Sequence, residues 1–221
     1  NIVVNGILSM VTLLLGNRYL QKINFNSEEN LKQALQLSFS QKLEIVKKNK
    51  FIQEGITYAK QIQEAVLPKL EELKVYLPDH FIYFKPKDTV GGDFYWYGES
   101  GDHIVIAAVD CTGHGAPGAL ISIIGSQILD RIVKEHGTTS PAEVLEILNL
   151  DIITMIHKSD SVLKDGMDIS LLSIDTANRT VRYAGAKNSI LVLRDGEVER
   201  IRGERTSIGQ THLLAEGFKD H

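Results

Sequence analysis

An α+β fold, with helices layered on antiparallel sheets, is predicted by three features of the sequence. Short runs rich in Phe, Tyr, Ile and Val come first, two adjacent helical segments follow, and four strand-like runs come last. Two of those last runs flank Asp195-Gly196, a dipeptide suited to a type I′ hairpin because both positions tolerate positive φ. Ahead of all this, residues 27–74 contain one glycine, Gly55, and one proline, Pro68, with charged and apolar residues at helical spacing.

The chain opens on residues 1–17, which carry no charged side chain and are rich in Ile, Val and Leu. A membrane span needs about 20 such residues. The stretch therefore reads as the end of a transmembrane helix that leaves the bilayer on its cytoplasmic side at Arg18 and Lys22, or as a buried core helix. A signal-peptide remnant fits less well, because no basic start precedes the apolar run.

Within the linker, residues 27–74, the positions Ile45, Asn49, Ile52, Ile56, Ala59, Gln63 and Val66 alternate spacings of four and three. That is a short heptad seam, and a polar residue such as Asn49 inside one fixes register and oligomer number. Two readings follow: a parallel homodimer through this helix, or a helix packed on its own domain.

The folded domain is expected over residues 78–221. His80–Lys85, Asp93–Tyr97 and His103–Val109 read as strands. Ala116 to Glu135 reads as a helix, with Pro117 in its first turn, where a missing N–H is harmless. Ser140-Pro141-Ala142-Glu143 starts a second helix as a capping box, running to His157. Asp168–Asp175, Thr180–Ala184, Ser189–Arg194 and Val198–Arg202 complete the strands.

Composition narrows the function classes. The 221 residues are 43% hydrophobic and 24% charged, which excludes wholesale disorder, collagen-like repeats and a polytopic membrane protein. A net charge of −4 argues against a nucleic-acid binder. One cysteine, Cys111, allows neither an internal disulfide nor a cysteine zinc site, and no His-x-x-x-His pair offers zinc ligands. Cys111 has no basic neighbour in sequence to lower its pKa, so it reads as a small buried residue and not a nucleophile.

Two stretches carry the chemistry. In Ala107–Ala119 an apolar strand delivers Asp110 into a glycine-rich turn that opens a helix. Gly113 to Gly118 matches the dinucleotide pattern, but Asp110 would set a negative charge where a pyrophosphate sits, and no second acid-tipped strand follows. In Thr89–Trp96, paired glycines precede Asp93 at a strand start. If the two strands are antiparallel neighbours, both carboxylates reach one sheet edge. Such a pair suits hard cations, Mn²⁺ or Mg²⁺, which can clamp a phosphate and acidify water. The bland reading is that both aspartates only cap turns. Gly91-Gly92-Asp93-Phe94 also resembles the diguanylate cyclase signature, but the next acid of that signature is absent.

Phe84–Asp88, Gly91–Trp96 and Asp110–Gly115 together resemble the SpoIIE/RsbU-type branch of the PPM (PP2C-like) serine/threonine phosphatases. Asp165–Asp168, Tyr183–Asn188 and Ser207–Gly209 strengthen the likeness, and Tyr58–Pro68 resembles the helix joining such domains to sensor or membrane modules. The resemblance implies a PPM-type layered sandwich of antiparallel sheets flanked by helices. It implies direct hydrolysis of phosphoserine or phosphothreonine by a metal-bridging water under sensor control. Asp93 and Asp110 match the family's first two metal-binding acids, and the Cys111 carbonyl is the next implied ligand. His114 stands where some members carry a proton donor, and it could equally shape the turn. Lys187 and Asn188 are the implied substrate-binding pair. The substrate implied is a phosphorylated regulatory protein, often an anti-sigma-factor antagonist. Two further family acids lie downstream in members, and the sequence ends at Lys219-Asp220-His221 before either, so the expectation is a C-terminally incomplete, weakly active or inactive domain. The rival expectation is a non-catalytic dimerising interaction module. The folded part is expected in the cytoplasm, anchored through the N-terminus if residues 1–17 end a membrane span.

Overall fold

The computed structural model describes residues 2–86, 88–113, 115–156, 166–210 and 217–221. The chain divides into two compact units, Asn1–Glu54 and Gly55–His221. The first is helical. Its helix, α1 (Ile2–Val66), is continuous across the stretch where a separate apolar segment and a linker were expected. The helix stops two residues before Pro68, as expected where a proline disfavours helical backbone in the residue before it. A single turn, α2 (Leu70–Leu73), follows.

The second unit is built on a four-stranded antiparallel sheet in the order β1 (Phe94–Ser100), β2 (His103–Cys111), β3 (Met167–Asp175), β4 (Thr180–Ala186). Between β2 and β3 run α3 (Ala116–Asp130), a π-helical turn (Arg131–Glu135) and α4 (Pro141–Ile156). A separate hairpin of β5 (Ser189–Arg194) and β6 (Glu197–Arg202) turns at Asp195 and Gly196, with φ of 53° and 84°. This is the antiparallel, helix-flanked α+β architecture expected from the sequence.

Alternation along the strands decides which face the helices cover. Val105, Ala107, Val109 and Cys111 of β2 are buried, as are Met167, Ile169 and Leu171 of β3. They form one core with Leu129 of α3, Ile132 of the π-helical turn and Leu145, Leu148 and Ile152 of α4. Asp110 and Asp168 fall on the opposite face. The run Ala116–Glu135 is apolar enough for a membrane span, but half of it is buried in this core.

Two expectations need correction. His80–Lys85 forms no strand: Phe81 and Tyr83 are 91% and 83% exposed, and no ladder partner among the described residues holds the backbone there. The start of α4 is capped by a wider set of groups than a capping box. Ser140 Oγ accepts only a long bond from Glu143 N–H, at 3.4 Å, while Ala142 N–H donates to Asp220 at 2.7 Å. Arg182 also reaches Asp220, which ties the C-terminus to β4.

Candidate active site

The glycine motifs place the two aspartates by packing on each other. A Cβ on Gly118, in the first turn of α3, would lie 2.8 Å from the Gly113 carbonyl and 3.1 Å from Gly92 Cα. On Gly92 it would meet the carbonyls of Cys111 and Gly113 at 3.0 Å. Only hydrogen at both positions lets the turn before β1, the turn after β2 and the helix start meet in one place.

Register then aligns the acids. Phe94 pairs with Val109, so Asp93, one residue earlier, stands opposite Asp110. On the other side of β2, Asp110 pairs directly with Asp168. Three carboxylates thus form a row across β1, β2 and β3 at one sheet edge. The side chains of Asp93 and Asp110 come within hydrogen-bonding reach of each other. Burial by the sheet edge pushes the Asp110 carboxyl above its usual range, and the charges of Asp93 and Asp168 push it further. Both residues still open onto a cleft of about 400 Å³, lined also by Ile82, Tyr83, Phe84, Tyr95 and Asn188. Phe84 and Tyr95 meet edge to face there, at 5.7 Å.

Asp168 sits differently. It accepts a hydrogen bond from Ser207 Oγ and lies 3.8 Å from Lys187 Nζ. Among the described residues, no three His, Cys, Asp or Glu side chains are gathered closely enough to hold one ion. The carboxylates of Asp93 and Asp110 are the hard oxygen donors that open onto this cleft, and the Cys111 carbonyl packs against Gly92.

Other motifs singled out from the sequence converge on the same edge. Thr112 Oγ1 accepts a bond from Gly166 N–H at 2.7 Å, and Thr112 N–H donates to the Gly166 carbonyl at 2.9 Å, locking the Asp110 turn to the start of β3. Ile208 pairs with Met167, and Gly209 N–H donates to Asn149 at 2.8 Å. Lys187 and Asn188 part company: Asn188 lines the aspartate cleft, and Lys187 lines a neighbouring one with Asp168. Cys111 is 3% exposed, and burial together with Asp110 and Asp93 pushes its thiol far up, so it is no nucleophile. His114 and Asp165 lie outside the described residues.

One residue has a role at the site that the seam pattern does not show. Gln63, a polar position in the heptad seam, is 7% exposed against its own domain. Its Nε2 donates to the Gly91 carbonyl at 2.6 Å and to Ser122 Oγ at 2.7 Å, while Gly91 N–H reaches its Oε1 at 3.4 Å. The end of α1 thus holds the turn that presents Asp93. An amide at a position whose neighbours are apolar was the available signal.

Residues 100–214 match the family described as Stage II sporulation protein E (SpoIIE). Among solved structures, the chain is 35% identical to the SiaA-PP2C domain of Pseudomonas aeruginosa, with a TM-score of 0.67 over 78% of this chain and 67% of that one. It also matches the RsbU and RsbW domains of a Mycobacterium tuberculosis protein at 20% identity and TM-score 0.46, over 62% of this chain and 36% of that one. The PP2C phosphatase domain of SpoIIE from Bacillus subtilis, with a fragment of its regulatory domain, gives 17% and 0.48, over 60% and 37%. No curated protein matches.

Proposed function

The chain belongs to the SpoIIE family of PP2C-like phosphatases, and from that membership we propose that it hydrolyses phosphoserine or phosphothreonine in a regulatory protein, using divalent cations and answering to a signal carried by α1. One observation carries the reading: two carboxylates face each other in an open cleft, and among the described residues neither forms an ion pair. An arrangement that raises a carboxyl's pKa by placing another beside it is relieved by a cation. Hard oxygen donors suit Mn²⁺ or Mg²⁺. When bound, such ions neutralise phosphoryl charge and acidify water.

The chain's own residues supply the rest. Asp93 and Asp110 would hold the cations, with the Cys111 carbonyl as a further donor. Phe84, Tyr95 and Asn188 line the cleft that receives the phosphorylated side chain. His114 delivers the proton to the leaving oxygen in this reading. Gln63 is the route of control, since any movement of α1 moves the Gly91 turn. The domain order that goes with it is an apolar anchor at residues 1–17, a dimerising linker at 27–74 and the phosphatase domain at 78–221. The apolar, uncharged opening and the exposed Ile45 and Ile52 support the first two parts.

The test is phosphate release from a phosphoserine peptide with Mn²⁺ or Mg²⁺, none with chelator, and loss of at least about 100-fold in Asp110→Asn, more than the loss of a residue that only orients a metal ligand brings. A second reading, a docking module without turnover, is favoured by the engagement of Asp168 with Ser207 and Lys187, which leaves two free carboxylates. Mn²⁺ binding in calorimetry without phosphate release would decide for it.

A further inference from the structure

Beside the aspartate cleft lies a second one, of about 440 Å³, for which the hydrolysis itself has no use. Lys187, Arg200, Arg202 and Arg205 line it, against only Asp168 and Glu204. In a chain of net charge −4 this is a local reversal of sign. Asp168 is the wall common to the row of acids and this cleft, and Lys187 already meets its charge. Arg200, Arg202 and Arg205 are exposed and form no ion pair among the described residues.

The position of these cations is built into the backbone. Lys187 is held at a φ of 57°, and its N–H donates to the Glu204 carbonyl at 2.6 Å. Arg200 and Arg202 alternate on β6, so they project from one face of the hairpin, paired with Leu191 and Ser189. Arg194 falls on the other face.

We propose that this basic cleft binds acidic side chains flanking the phosphorylated residue, so that the protein selects phosphosites in acidic segments. The proposal rests on the phosphatase reading. Guanidinium groups stay charged at any working pH and take carboxylates in bidentate fashion. An acidic segment approaching Asp93 and Asp110 meets repulsion, and the neighbouring cations offset it and orient the chain that carries the phosphate.

The experiment is a fluorescence anisotropy titration of the 221-residue protein in chelator with three labelled peptides of equal length. One carries phosphoserine with Asp and Glu flanks, one is its unphosphorylated form, and one carries phosphoserine with Asn and Gln flanks. Both acidic peptides should bind more tightly than the neutral-flank phosphopeptide. Arg200→Gln and Arg202→Gln should each weaken the acidic peptides about two- to five-fold, the range of a single exposed ion pair. Arg194→Gln removes the same charge from the other face and should leave binding unchanged, with thermal unfolding verifying that each variant folds. Equal binding of acidic and neutral flanks overturns the proposal, as does an equal effect of Arg194→Gln, which would mean diffuse attraction only. Tighter binding of the neutral-flank phosphopeptide than of the unphosphorylated acidic one would also overturn it, by assigning the cleft to the phosphate itself. Because no turnover occurs in chelator, these outcomes are independent of Mn²⁺-dependent phosphate release from the neutral-flank peptide, which tests the phosphatase reading alone.

Discussion

Asp110 stands between Asp93 and Asp168 in one row, and its carboxyl is held above the ordinary value of 3.8 by burial first and by its acidic neighbours second. The sign of the consequence follows from linkage. Below about 3.8 the group is protonated whether or not the chain is folded, and it changes nothing. As pH rises from there through the raised value, the unfolded chain ionises first, so stability is lost and stays lost at neutral pH. Asp110→Asn should therefore raise the unfolding temperature in chelator at pH 7, with the gain closing as pH falls below about 3.8. Mn²⁺ should raise the midpoint of the unsubstituted protein and leave Asp110→Asn unmoved. A thermal melt series over pH, with and without Mn²⁺, checks both. Gly118 is a second single-residue constraint. Its added Cβ would press on the Gly113 carbonyl and Gly92 Cα, both backbone atoms that cannot swing aside. Gly118→Ala should cost about 1–3 kcal/mol, as overpacking does, measured by denaturant unfolding.

Elements meet the site through few bonds, and the end of α1 supplies several of them. Gln63 satisfies the Gly91 carbonyl and reaches Ser122, which is fully buried in α3. Gln63→Ala should leave these groups short of partners at a cost of about 1–3 kcal/mol. Because the same bonds hold the turn before Asp93, turnover with Mn²⁺ should fall about 10- to 100-fold, the scale of a slightly misplaced group. A variant with full activity and reduced stability would reduce Gln63 to a structural tie. Chemical denaturation and phosphate release on one preparation separate the two.

For the whole molecule, the heptad seam divides at the boundary of the two units. Ile56, Ala59 and Val66 are partly buried and Gln63 fully so, all in the unit that holds the phosphatase domain. Ile45 and Ile52 remain 58% and 53% exposed, with Asn49 between them. The proposed pairing of two chains would therefore use the part of the seam before Gly55, where the apolar positions stay exposed. Ile52→Asp should convert a sedimenting dimer of residues 27–221 to monomer, since a charge facing its like in a seam is costly to desolvate. A monomer in both proteins, at tens of micromolar to exceed a weak-dimer Kd, would remove the pairing.

Periodicity and turn chemistry were enough, from sequence, for β1 to β6, for α3 and α4 and for the Asp195-Gly196 hairpin, because those signals are local. The pairing of Asp93 with Asp110 was legible conditionally: the acids sit at a strand start and a strand end, and antiparallel register does the rest. Residues 80–85 misled because aromatic and β-branched composition marks a strand only when a neighbour offers a ladder. The role of Gln63, the tie of Thr112 to Gly166 and the row position of Asp168 join residues 28, 54 and 58 positions apart. The basic cleft likewise needs β6 brought back beside Lys187. Contacts of that kind leave no period in the sequence; they exist only once chain topology brings distant backbone together.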